Sequence, residues 1–270
     1  TIKKRHCETP KFAIIGYGKM GGKELGYASD LDMVYLFDDD DQDAGENYNR
    51  LGQRLNTWLS SQTSAGILFE TDLRLRPNGD SGLLAVSVDA FRDYQLKHAW
   101  VWEHQALSRA RFCAGDPAVG ERFEAIRIEI LRQQRDLTKL REEVIAMRRK
   151  MLDAHASHSE NEFDLKQDPG GIIDVEFIVQ YLVLGYAHQH AELTGNLGNI
   201  ALLRIAGELG LINSGQAEAV GNAYREYRRL QHAKRLNANP QARNDRESLE
   251  KHIVAVNQLW QAIFINGPVA

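Results

Sequence analysis

Apolar and polar positions change their spacing near residue 115, and the change divides the chain. Before it, short apolar runs alternate with glycine-rich and acidic turns. Phe12–Ile15 reads as a short strand ending in Gly16-Tyr17-Gly18, and Gly21–Leu25 as a brief turn or helix. Leu31–Phe37 reads as a longer strand, followed by a solvated acidic loop over Asp38–Asp43. Leu51, Leu55, Trp58 and Leu59 fall at helical spacing and predict a helix over Tyr48–Ser61. A strand through Asp72, another at Leu83–Val86, a helix over Asp89–His98 and a last strand over Arg109–Ala114 complete this half. Beyond Gly115-Asp116-Pro117, Leu137, Leu140, Val144, Met147 and Met151 step by three and four, one stripe on a long helix. Further helices are expected over Ile173–His188, Ile200–Gly207, Gly215–Leu236 and Leu249–Ile265. The fold class expected is α+β: an α/β domain over residues 1–116, then an all-helical domain over 117–270.

Composition narrows the function classes. At 270 residues the chain can bury a sizeable core, and 43% hydrophobic with 26% charged residues is ordinary globular usage. A net charge of -4 gives no support to a nucleic-acid partner. No apolar stretch approaches a membrane span, since Asp174, Glu176 and Gln180 interrupt the longest run, so no membrane partner is expected. Cys7 and Cys113 are too few for a disulfide framework, which points to a reducing, cytoplasmic setting. There is no signal peptide, and the start at Thr1 without methionine suggests a fragment of something longer.

The candidate chemistry lies in three acids. Asp30 and Asp32 stand two apart at the start of the Leu31 strand, so both carboxylates project from one face. Two like charges held so close are costly unless a cation lies between them. From Thr71 onward residues alternate, which places Asp72, Arg74 and Arg76 on one face, with a turn at Pro77-Asn78-Gly79-Asp80. The acid would join the cation site, and the two guanidinium groups would take phosphate oxygens. Oxygen ligands with open positions suit Mg2+ or Mn2+. The bland alternative is a turn acid capping a strand plus a solvated acid. Glu70 shares parity with Asp72, as a further ligand or a surface acid.

Gly16-Tyr17-Gly18-Lys19-Met20-Gly21 matches a dinucleotide-binding fingerprint, with Asp38 near the ribose-acid position. That fold needs a crossover helix of about a dozen residues between its first two parallel strands. Only Gly21–Ser29 is available, so Gly16–Gly22 is better read as a backbone loop beside a phosphate chain. Lys19 and Lys23 could reach phosphates or simply be solvated. Trp100 and Trp102 read as core or interface packing rather than a base-stacking site, and Arg109 with Arg111 would share a face of the last strand, adding charge to the cleft or lying on the surface. Asp168-Pro169-Gly170-Gly171 reads as the N-cap and first turn of the most apolar helix. The His155/His158 and His188/His190 pairs lack acids at ligand spacing and read as solvated.

A glycine-rich turn followed by Ser29-Asp30-Leu31-Asp32 and a later strand acid resembles the nucleotidyltransferase superfamily that includes DNA polymerase β. The stretches Phe12–Asp32, Asp72–Pro77, Trp102–Arg111 and Lys166–Phe177, in that order, resemble bacterial glutamine synthetase adenylyltransferase over nearly the whole chain. PII uridylyltransferases share the superfamily motif but match the later blocks less well. The resemblance implies one of the family's two nucleotidyltransferase units, the Asp72 and Trp102 blocks looking more like the C-terminal, adenylylating one. It implies transfer of AMP from ATP to a tyrosine of glutamine synthetase, with a PII signal protein acting through the full-length enzyme. Asp30, Asp32 and Asp72 would be the catalytic acids and hold two Mg2+ ions, with Mn2+ as a substitute. Asp72 would lower the pKa of the attacking hydroxyl or accept its proton. Gly21, Gly22 and Ser29 would meet the phosphates, as would Arg74 or Arg76. Phosphorolytic removal of AMP, a non-catalytic docking module and an NAD-dependent enzyme are the competing readings.

Overall fold

The computed structural model describes residues 7–26, 29–67, 69–154, 161–237 and 243–267; His155, His158 and Thr1 lie outside them. The chain forms two compact units, residues 1–131 and 132–270.

The first unit runs β1 (Phe12–Gly16), α1 (Gly18–Gly21), β2 (Leu31–Phe37), α2 (Ala44–Ser60), β3 (Thr71–Asp72), β4 (Ala85–Ser87), α3 (Val88–Lys97), α4 (Val101–Leu107), β5 (Arg111–Gly115) and α5 (Pro117–Leu131). β2 is central: β1 pairs with it antiparallel, β3 and β4 pair with it parallel, and β5 lies outside β1. Alternation along β2 explains its two dry faces. Met33, Tyr35 and Phe37 pack with Phe12, Ala44 and Tyr48 toward α2. Val34 and Leu36 pack with Ala13, Ile15, Phe91, Leu107, Phe123 and Ile130 toward α3, α4 and α5. A sheet buried on both sides leaves its strand ends as the place for chemistry. The antiparallel β1–β2 pair rules out the dinucleotide-binding fold, whose first two strands run parallel.

The boundary falls after Leu131 rather than after Asp116, because α5 buries Val119, Phe123, Ile126 and Ile130 in the sheet's own core. The strand expected through Arg76 stops at Asp72. Asp72 Oδ1 accepts the Arg74 N–H at 2.9 Å, a side-chain turn that bends the backbone away from the ladder. Parity therefore says nothing about Arg74 and Arg76. Trp100 and Trp102 are 69% and 37% exposed, so neither is a core residue. The Trp102 block forms helix α4 instead, and the Glu103 carboxylate caps it by accepting the Trp100 N–H at 3.0 Å.

The second unit comprises α6 (Leu137–Ala154), β6 (Glu162–Asp164), α7 (Ile172–Tyr186), α8 (Asn199–Glu208), α9 (Ser214–Leu236), β7 (Arg243–Asp245) and α10 (Glu250–Trp260), which runs into a π-turn over Gln261–Ile265. It is not all-helical: β6 and β7 form an antiparallel ribbon. Helix α7 is buried on nearly every side, as its predominantly apolar sequence requires, even with Asp174, Glu176 and Gln180 in the run. It starts at Ile172 with Gly171 as N-cap, not at Pro169. Gly170, at φ +91°, cannot sit inside a helix, and Asp168 instead accepts the Asp164 N–H at 2.8 Å. Asp174 is buried; its Oδ1 takes Arg148 Nε at 2.5 Å and its Oδ2 takes the Gly170 N–H at 2.6 Å. His188 and His190 are half-buried rather than solvated.

Candidate active site

Asp32 and Asp72 lie side by side where β2 and β3 begin. Asp32 and Asp72 are register partners across the parallel pair, so their side chains leave the same face of neighbouring strands about 4.8 Å apart. Leu31 N–H donates to the Glu70 carbonyl at 2.8 Å and extends the pairing one step further. Asp30, Glu70, Asp72, Arg74, Arg76 and Asp80 line an open cleft of about 460 Å³. Asp32 lies deeper, half-buried against the glycine turn.

The electrostatics follow from that placement. Burial pushes the Asp32 carboxyl up; the Asp72 and Asp30 charges push the same way, while Arg109 and Lys19 oppose them. Asp72 is held low, chiefly by hydrogen bonds from the Arg74 side chain. Arg74 Nε lies 3.1 and 3.0 Å from the two Asp72 oxygens and its Nη2 lies 2.5 Å from Oδ2. Arg76, buried to 8% exposure, donates Nη1 to the Leu73 carbonyl at 2.7 Å and Nε to the Gly82 carbonyl at 3.3 Å. Its guanidinium ties the loop after β3 together, while Arg74 stays exposed and bound to Asp72.

The other expected nucleotide contacts are engaged locally. Gly21 N–H donates to the Tyr17 carbonyl at 2.7 Å and Gly22 N–H to the Gly18 carbonyl at 3.1 Å. Ser29 is buried, and its hydroxyl accepts the Gly26 N–H at 3.0 Å. These residues shape the turn beside Asp32. Gly18 abuts its carboxylate: at φ +51°, an added Cβ would run into Asp32 Oδ2.

Asp30, Asp32 and Asp72 offer only carboxylate oxygens, the donor set of hard divalent cations. The upward push on Asp32 from its neighbours is repulsion that a cation would relieve. Among the described residues no group of three or more His, Cys, Asp or Glu stands ready to hold an ion. Arg74 covers both Asp72 oxygens, so a cation there has to displace that guanidinium. The donor set fits; one side chain must move.

Sequence reasoning passed over Arg127, and it placed Gly18 in a phosphate loop and Arg111 on a strand face without the contacts they make. Arg111 Nε donates to the Gly21 carbonyl at 3.0 Å and its Nη2 to the Met20 carbonyl at 3.2 Å. Arg109 lies in the turn before β5 rather than on the strand, near enough to Asp32 to stabilise its charge. The alternation of Arg109 and Arg111 was the available signal, but strand parity does not say what lies across the sheet edge.

The sequence profile of glutamate-ammonia ligase adenylyltransferase matches residues 1–126, the span of this site. Those residues belong to that family. Curated relatives named bifunctional glutamine synthetase adenylyltransferase/adenylyl-removing enzyme agree. The protein of Aromatoleum aromaticum is 68% identical over 87% of this chain and 25% of its own length. That of Nitrosomonas europaea is 58% identical over 97% of the chain and 30% of its own length. That of Bordetella bronchiseptica is 55% identical over the whole chain and 28% of its own length. The chain thus spans less than a third of the adenylyltransferases it matches. Residues 138–260 match the GlnD PII-uridylyltransferase profile, so the Lys166–Phe177 block lies within a region shared with the uridylyltransferases. Among the described residues no helix is long and apolar enough to cross a membrane, and Cys7 and Cys113 are free thiols.

Proposed function

We propose that the first unit is a nucleotidyltransferase domain of the DNA polymerase β type. In this reading it transfers AMP from ATP to a tyrosine hydroxyl of glutamine synthetase. The observation that carries this is the Asp32–Asp72 register across parallel strands, with Asp30 at the mouth of the same cleft. The names of the relatives supply the acceptor.

In this reaction the tyrosine oxygen bonds to the α-phosphorus as the bond to the pyrophosphate oxygen breaks, and the phenolic proton leaves for a base. Asp30, Asp32 and Asp72 would hold Mg2+, as two ions or Mn2+ in their place, which supplies charge stabilisation at phosphorus. Arg74 holds Asp72 below the ordinary carboxylate range, so Asp72 gains basicity only once that guanidinium turns away. Released, the exposed Arg74 is within a side chain's reach of phosphates in the cleft. Arg76 keeps the loop in place beneath it. A PII signal protein would act through the remainder of the full-length enzyme.

The test uses α-labelled ATP, Mg2+ and glutamine synthetase with this chain and its Asp32→Asn variant. Label on a glutamine synthetase tyrosine, lost in the variant, supports the proposal. Phosphate-dependent release of ADP from adenylylated glutamine synthetase, without forward transfer, would assign the unit to AMP removal. Absence of both, with no Mg2+-dependent ATP binding, would leave a docking module.

A further inference from the structure

Beyond the acids, a set of arginines on the far side of the glycine turn has no place in the reaction just described. Arg127, on α5, is fully buried. It pairs with Glu124 at 2.7 Å and donates Nη1 to the Ser108 carbonyl at 3.0 Å. Ser108 begins the turn that leads into β5. One residue on, the Arg109 carbonyl lies so close over Gly21 that any side chain there would collide with it. Two residues further, Arg111 faces Gly16 across the β1–β5 pair and reaches over the strand end to the carbonyls of Met20 and Gly21. Those carbonyls close the single turn of α1, and Gly18, its first residue, abuts the Asp32 carboxylate.

A one-turn helix cannot hold itself in water, because nucleation fixes several residues for a single hydrogen bond. Its geometry must come from outside. Two forked guanidinium bonds to adjacent carbonyls supply it, from a rigid planar fork that a lysine's single ammonium nitrogen lacks. We infer that Arg111 is a positioning residue for the acid site. By clamping Met20 and Gly21 it sets the glycine turn against Asp32, and Arg127 anchors the clamp by fixing Ser108. The inference rests on Asp32 being part of the site; the clamp itself does not.

The experiment compares Arg111→Ala and Arg111→Lys with the unaltered chain by amide hydrogen exchange and by Mg2+ titration of the melting temperature. Arg111→Ala is expected to lose protection at the Gly21 and Gly22 amides while the β1–β2 amides keep theirs. The Mg2+ concentration for half-maximal stabilisation should rise about tenfold or more, as when a group orienting a metal ligand is removed. Arg111→Lys should recover part of both effects, and it provides the reading if Arg111→Ala fails to fold. Unchanged Gly21 and Gly22 protection would overturn the clamp. Full recovery by lysine would overturn the two-carbonyl geometry. A normal Mg2+ titration in a chain that has lost the protection would overturn the link to Asp32. If the unaltered chain shows no Mg2+ response, the cation reading fails while the exchange data still decide the clamp.

Discussion

Gly18 is pressed against Asp32: its backbone sits at φ +51°, and a β-carbon there would lie 2.1 Å from Asp32 Oδ2. The glycine is therefore required twice, once for its left-handed backbone and once for the room it leaves a carboxylate. The turn bounds where Asp32 can point.

Gly18→Ala should cost about 1–2 kcal/mol from backbone conformation alone. It should also push Asp32 off its present rotamer. Urea unfolding reads the first effect and Mg2+-induced stabilisation the second. An alanine variant with unaltered values for both would show that the contact carries no constraint.

Asp32→Asn should melt at or above the unaltered protein at neutral pH without divalent cations. Burial, with Asp72 and Asp30, raises the folded-state value of Asp32 above its unfolded one. A raised carboxyl adds stability only when protonated, so its contribution is complete below the unfolded value and disappears as pH climbs through the folded one. The variant's advantage should thus shrink as pH falls into the carboxylate range. Paired melting curves from neutral to acid pH decide it, and a variant less stable at pH 7 would contradict the repulsion.

Arg74→Ala should bind Mg2+ more tightly in the absence of nucleotide and ATP more weakly in its presence. Arg74 covers both Asp72 oxygens and holds that carboxyl low, so its removal frees a ligand and deletes a phosphate partner. Calorimetric titration with each ligand tests the two halves separately. Weaker Mg2+ binding would mean that Arg74 orders Asp72 rather than competing for it.

Arg148→Met should destabilise the second unit by about 3–5 kcal/mol, because Asp174 would stay buried without its counter-charge. Adding Asp174→Asn should restore part of the loss, since the amide keeps an acceptor for the Gly170 N–H. A double-mutant cycle on urea curves measures the coupling. Additive losses would show the pair to be independent.

Part of the candidate site's layout was legible because strand periodicity is local. Spacing predicted one face for Asp30 and Asp32; the strand begins only at Leu31, and Asp72 is the register partner of Asp32. Failures began where a side chain redirects the backbone. The Asp72 turn ends β3 at once, which removes Arg74 and Arg76 from any common face. The same holds at Asp168, which bonds to Asp164 and delays α7 to Ile172. The expected boundary at residue 116 left Pro117–Leu131 in the helical domain, whereas α5 covers the sheet's own core, a contact that composition does not name.

The order of residues alone determined the acids, the glycine turn, the helical stripes of the second half and the family resemblance, since all are written in neighbouring positions. Only tertiary structure decided which strand Asp72 joins, that Arg111 reaches the carbonyls of Met20 and Gly21, and that Gly18 bounds Asp32. Those contacts link segments far apart in the chain, and their geometry exists only once the sheet has set the distances.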